Sequence, residues 1–186
     1  MKTGIIILLV GKSGSGKSTI CDALAKKYGY KVLKSYTTRP LRLNDPKDAT
    51  THTFVSKDEF VALEQKCAYT KFDEYEYCAT SQQVDESDIY IIDPKGVKYF
   101  RNHYNGKKQP IVIYLDGEDN RLREQMGERG DDIEKVEQRI LNDRLEFNDF
   151  YDFNYFVPIT TVAIECQMID IAKHKEERAL IERMLP

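Results

Sequence analysis

Gly11-Lys12-Ser13-Gly14-Ser15-Gly16-Lys17-Ser18-Thr19 fits the pattern G-x-x-x-x-G-K-[ST], and its flanks decide the fold. Before it, Gly4 to Val10 carries Ile5, Ile6, Ile7, Leu8 and Leu9 without a polar break, as expected of a strand buried on both faces of a parallel sheet. After it, Ile20, Ala23 and Leu24 recur at helical spacing, and Gly29 stands where the helix should stop. Strand, glycine-rich loop and helix together make a phosphate cradle, in which glycines let backbone N–H groups turn inward and the helix N-terminus adds partial positive charge. Gly11, Lys12, Ser13, Gly14, Ser15, Gly16, Lys17, Ser18 and Thr19 are therefore the expected ATP and phosphate contacts. Lys17 should reach the β- and γ-phosphates, and the Ser18 hydroxyl is the expected Mg2+ ligand.

The rest of the chain limits the alternatives. Its 186 residues suit one α/β domain, a parallel sheet flanked by helices, with room for a small insert. A composition 41% hydrophobic and 32% charged is that of a globular protein. A net charge of -3 and a pI near 5.7 argue against nucleic acid as a partner, so any basic site must be local. The apolar start is too short for a membrane span, which points to a cytoplasmic protein without a membrane partner. Cys21, Cys67, Cys78 and Cys166 show no C-x-x-C spacing and read as reduced thiols.

Along the chain, Lys31 to Ser35 reads as a second strand delivering Ser35-Tyr36-Thr37-Thr38-Arg39-Pro40-Leu41-Arg42. Hydroxyls and two arginines so close together suit either an anionic ligand or a solvated basic turn. Leu43 to Thr51 is polar and reads as a loop. Short strands are expected at His52 to Val55 and Ala68 to Phe72, with a capping box at Ser56 and Glu59 opening a helix between them. Asp88 to Asp93 reads as a buried strand whose terminal Asp93 either points into a site at the sheet's carboxyl end or caps the helix that starts at Pro94. Ile111 to Leu115 and Tyr155 to Ile159 complete the strands. Helices follow through Leu122 and Met126, through Arg139 and Arg144, and from Val162 to Leu185, where Lys173-His174-Lys175 reads as a solvated face.

In order and spacing, Gly11 to Thr19, then Ser35-Tyr36-Thr37-Thr38-Arg39-Pro40-Leu41-Arg42, His52-Thr53-Phe54-Val55-Ser56 and Tyr77-Cys78-Ala79-Thr80, the chain resembles the guanylate kinase family. The resemblance covers nearly the whole chain, and its specific part is the S-x-T-T-R-x-x-R element. It implies a P-loop core (about 1–38 and 81–186), a nucleoside-monophosphate insert (about 39–80) and an arginine-bearing lid (about 126–138). The implied reaction is phosphorylation of GMP or dGMP by ATP with Mg2+, in a monomer or dimer. Ser35, Arg39, Arg42, His52, Lys71, Tyr77 and Asp93 match the acceptor side. Lys17 and Arg39, with Arg129 and Arg139 arriving on a glycine-hinged flap at Gly127 and Gly130, match the catalytic set.

The departures fall on the base-reading positions. Lys71 stands where the family has a glutamate, His52 where it has a tyrosine, and Ala79, after Cys78, where it has a serine or threonine. A lysine cannot accept the guanine N1–H and N2–H2 donors, so Asp73, Glu74 or Glu76 are the candidate replacements. A different acceptor, a modified nucleotide or ribose 1,5-bisphosphate, is the alternative within the same chemistry. A non-catalytic interaction module is the alternative outside it, and the intact Lys17 and Ser18 weigh against that reading.

Overall fold

The computed structural model describes residues 4–41 and 51–158. Arg42, most of the expected loop at 43–51, Ile159, Cys166 and the expected helix from Val162 lie outside the described residues.

β1 (Gly4–Gly11) is the centre of the main sheet, between β6 (Ile89–Ile91) and β7 (Lys108–Asp116), with β8 (Tyr155–Pro158) beyond β7; all three pairings are parallel. Alternate residues of β1 serve opposite faces. Ile7 and Leu9 pack with Ile20, Cys21 and Leu24 of α1 (Lys17–Tyr28). Ile6, Leu8 and Val10 pack with Val97 and Phe100 of α4 (Pro94–His103) and with Tyr114 and Phe150. Both faces are covered, which is why the run carries no polar residue. Gly29 ends α1 in the left-handed region at φ 69°, sending its N–H back to the Ala25 and Leu24 carbonyls.

The expected strand at Lys31 to Ser35 is corrected. Val32 makes a single bridge to Ile89, and the regular strand is β2 (Ser35–Thr37), which belongs to a second sheet. The chain leaves the main sheet after Leu33, whose side chain is still core, so the hydroxyl-rich residues form the strand that lies nearer the cleft. This sheet runs β3 (His52–Phe54), β2, β5 (Tyr75–Thr80), β4 (Lys66–Phe72), and so takes in residues ahead of position 39. The capping box at Ser56 and Glu59 forms with both reciprocal bonds and opens α2 (Lys57–Ala62). A second one, at Thr80 and Gln83, opens α3 (Ser81–Glu86), a helix without a clear apolar stripe in the sequence.

α5 (Asp119–Glu128) and α6 (Ile133–Phe147) form a helical hairpin with a small core of its own, Leu122, Met126, Val136 and Ile140. The expected flap is thus the turn of a packed hairpin: Gly127 is helical, and only Gly130, at φ 80°, takes a conformation that favours glycine.

At the end of β1 the backbones close tightly. A Cβ on Gly11 would lie 2.7 Å from the Leu115 carbonyl oxygen and 2.7 Å from the Ser15 hydroxyl. Gly11→Ala must therefore push β1 and β7 apart or distort the loop. A stability loss of about 1–3 kcal/mol is expected, and it should appear as a lower thermal midpoint in calorimetry with no ligand present.

Candidate active site

The loop after β1 is shaped by Gly14 and Gly16, both left-handed at φ 77° and 82°. A Cβ on Gly14 would stand 3.0 Å from the Leu122 carbonyl, so the loop rests directly on α5. Lys17, the first residue of α1, folds back over the loop and donates from Nζ to Gly11 O (2.6 Å), Lys12 O (2.8 Å) and Ser15 Oγ (3.2 Å). Burial of this ammonium lowers its pKa to about 8, and the nearby Asp143 carboxylate opposes that fall. Lys12 is steadied by Asp116 (3.6 Å) and Asp119 (3.7 Å). Ser18 and Thr19 are exposed on the first turn of α1.

Across the cleft, β2 buries Ser35, whose hydroxyl is hydrogen-bonded to His52 Nδ1 at 3.0 Å. The His52 ring meets Tyr77 edge-on, with centroids 5.6 Å apart. Arg39 is only 7% exposed, lies over the Phe54 ring at 5.2 Å and donates to the Pro40 carbonyl. Two cavities of about 320 and 570 Å³ meet here. The first takes in Gly11, Ser13, Lys17, Lys71 and Asp93, the second Ser18 and Arg39, and Ser35, His52 and Tyr77 line both. Residues far apart in sequence, Gly11, Ser13 and Lys17 from the phosphate loop and Ser35, His52 and Tyr77 from the second sheet, thus line one cavity at the carboxyl ends of the strands.

Some expectations for individual residues change. Arg129 and Arg139 do not line the cleft: both donate to Asp131 Oδ2, at 2.8 and 2.7 Å. Lys71 lines the first cavity from an exposed position at its rim, whereas Ala79 is buried in the core. None of the three candidate replacement acids lines either cavity. Asp73, left-handed at φ 53°, and Glu74 form the two-residue turn between paired Phe72 and Tyr75, while Glu76 accepts from the Tyr69 hydroxyl at 2.8 Å. The carboxylates that line the first cavity are Asp93, Asp143 and Glu146, and Asp22 lines the second. Asp93 meets both sequence readings: it lines the cleft and also caps α4 by accepting from Gly96 N at 2.6 Å. Burial raises its pKa, against the hydrogen bonds from Gly96 and the Thr70 hydroxyl. Glu146 is raised by burial and then by the negative charge of Asp93.

Thr70, Asp143 and Glu146 were not legible as site residues. For the two acids a signal existed: with Arg139 they fall at i, i+4 and i+7, on one face of α6. The thiols of Cys21, Cys67 and Cys78 are free, buried and pushed up to about 12 by desolvation, which leaves them unreactive.

Comparison with known proteins agrees with this architecture. Residues 7–147 match the family model described as AAA domain. The guanylate kinase of Pseudoalteromonas translucida is 31% identical over 72% of this chain and 68% of its own length. That of Aster yellows witches'-broom phytoplasma is 26% identical over 99% of this chain and 92% of its own. Among solved structures, the guanylate kinase from Anaplasma phagocytophilum superposes with a TM-score of 0.62 at 18% identity, covering 96% of this chain and 87% of that one. No helix among the described residues is long and apolar enough to cross a membrane. With a phosphate loop at the end of β1, the S-x-T-T-R-x-x-R element beginning on β2 and relatives matched along most of its length, the chain belongs to the guanylate kinase family.

Proposed function

We propose that this chain transfers the γ-phosphoryl group of ATP, with Mg2+, to a nucleoside monophosphate, GMP or dGMP. Family membership makes it a nucleoside monophosphate kinase; donor, acceptor and metal are what is proposed. The observation that carries the proposal is the shared cleft, with the Lys17 ammonium on one wall and Ser35, His52 and Tyr77 on the other.

Phosphoryl transfer needs alignment and neutralisation of charge rather than covalent help from the protein. Lys17 and the loop N–H groups would hold the donor's phosphates. Arg39 and Ser35, with Arg42, would hold the acceptor's phosphate, which is itself the nucleophile and needs no general base. Arg129 and Arg139 would exchange their shared carboxylate partner for the transferring group, a change of partner within reach of two exposed guanidinium groups. Among the described residues no group of three or more His, Cys, Asp or Glu is placed to hold a metal ion. Ser18, exposed on the first turn of α1, would suit Mg2+, which keeps several waters and takes substrate phosphate oxygens. Bound there, it would neutralise charge on the transferring group. For the base, Asp93 and Glu146 offer the acceptors that guanine N1–H and N2–H2 require, and Thr70 orients Asp93.

Lys17→Ala should fold and lose phosphotransfer in a panel of nucleoside monophosphates and ribose 1,5-bisphosphate with ATP and Mg2+, read as ADP release. No ADP release by the wild type with any acceptor would instead favour an interaction module.

The lowered Lys17 value gives a pH dependence with a definite sign. A lysine held at about 8 rather than 10.5 is partly neutral in the free protein between roughly pH 8 and 10, and bound phosphates favour its charged form. ATP binding at pH 8.5 should therefore take up protons, measured by calorimetry in buffers of different ionisation enthalpy. Lys17→Met should abolish the uptake.

Asp93→Asn keeps a helix-capping side chain but loses the carboxylate. It should lower kcat/KM for GMP by about tenfold or more, the cost of one unpaired buried donor, whereas Lys71→Ala at the rim should change it less than about threefold. A larger loss in Lys71→Ala than in Asp93→Asn would return base reading to Lys71.

A further inference from the structure

The phosphate loop holds an anion that belongs to the protein itself. Ser13 N–H, one of the loop amides available to a phosphate, donates to Asp143 Oδ2 at 2.6 Å across 130 positions of sequence. Asp143 is 9% exposed, lies on α6 one turn before Phe147, and lines the same cavity as Lys17. Its negative charge favours the Lys17 ammonium. The same hairpin repeats the arrangement at its turn, where Asp131 Oδ2 binds both Arg129 and Arg139. In each case a carboxylate oxygen occupies donors that phosphate oxygens could take, because both anions present the same charged acceptor to N–H groups. A polyphosphate and the Asp143 carboxylate cannot share the Ser13 amide, and at such separation two negative charges repel.

Building on the kinase reading above, we infer that Asp143 is a positioning residue, a counter-anion carried by the α5–α6 hairpin that fills the donor's phosphate cradle until ATP displaces it. Donor binding and release of this contact are then one equilibrium. The cradle's affinity for ATP is lowered by the free energy of the contact, and ATP shifts the hairpin by the same amount.

The test measures ATP affinity by calorimetry, with EDTA and separately with Mg2+, for the wild type, Asp143→Asn, Asp143→Ala and Lys17→Ala. Thermal unfolding without ligand serves as the control for folding. Removing the competing charge should tighten ATP by about tenfold in both Asp143 variants without Mg2+, the effect of losing one charge-assisted hydrogen bond. In turnover, KM for ATP should fall while KM for the acceptor stays unchanged, a split that a purely structural role for Asp143 would not produce. Should neither variant fold, the wild type still decides: the through-hydrogen-bond coupling between the Ser13 amide nitrogen and the Asp143 carboxyl carbon should vanish when inorganic pyrophosphate is bound. A coupling that survives bound pyrophosphate would then overturn the inference. ATP bound by the wild type, lost in Lys17→Ala and no tighter in either folded Asp143 variant would overturn the inference and leave the kinase reading standing. Affinity that falls in the Asp143 variants only when Mg2+ is present would make Asp143 a metal ligand, and would equally overturn it. A wild type that binds no ATP would overturn the kinase reading, and this inference with it.

Discussion

Everything at the site depends on how closely β1 approaches β7 where the loop begins. The two strands pair in parallel from Gly4 opposite Lys108 to Gly11 opposite Leu115, and at Gly11 there is no room for a side chain. That pairing fixes where the chain must turn. Because Gly11 is held, the carbonyls of Gly11 and Lys12 point at the Lys17 ammonium, and the Ser13 N–H is turned toward Asp143. The cradle is thus positioned by backbone contact with the sheet, while Gly14 rests on Leu122 of the α5–α6 hairpin. One loop therefore touches both the rigid core and the element that carries the arginines.

The electrostatics of the site follow a single pattern, in which its basic groups are held by acids of the main body or the hairpin. Lys12 sits between Asp116 and Asp119, Arg144 binds Asp119 at 2.6 Å, Arg129 and Arg139 share Asp131, and Asp143 stands by Lys17. A chain of net charge -3 can build a phosphate site in this way because its cations are local and four of them, Lys12, Arg129, Arg139 and Arg144, are already paired. Exposed pairs of this kind contribute little to stability, about 0–1 kcal/mol each, so exchanging them for a ligand's phosphates costs the fold little. Their effect is on geometry, since they hold long side chains in defined places before the ligand arrives.

The elements legible in the sequence are those whose cause is local. β1 could be read because both of its faces are core, the end of α1 because Gly29 takes a left-handed conformation, and α2 because Ser56 and Glu59 satisfy each other's backbone groups. The misplaced strand at 31–35 had a non-local cause: the extended run divides between two sheets, Val32 bridging Ile89 of the main sheet and Ser35 pairing with His52 of the second. On the base side, spacing places Lys71 at the cavity, where it lies, but the two-residue turn at Asp73 and Glu74 fixes the register of β4 on β5, which brings Thr70 beside Asp93 and leaves the three candidate acids outside the cavity. Asp143 and Glu146 were hidden because an acid on a helix in a charged segment reads as a solvated face until the tertiary structure shows what covers it.

The hairpin's own construction decides how such contacts can act together. Leu122, Met126, Val136 and Ile140 lock α5 to α6, so the two helices are a unit. At the far end of α6, Phe147 stacks on Tyr114 of β7 with centroids 5.5 Å apart, and Phe150 and Phe153 close around the same ring. This aromatic cluster ties the end of α6 to the main sheet and makes it the natural pivot. Measured along the helix from Phe147, Asp143 lies roughly 6 Å away and Arg139 roughly 12 Å, at 1.5 Å per residue. Any tilt of α6 about that point moves Arg139 about twice as far as Asp143. A group bound near the pivot is held firmly by a short arm, and one farther out travels. Such a tilt would carry the arginines at the loop end farther than Asp143, which is held to the phosphate loop by a single hydrogen bond.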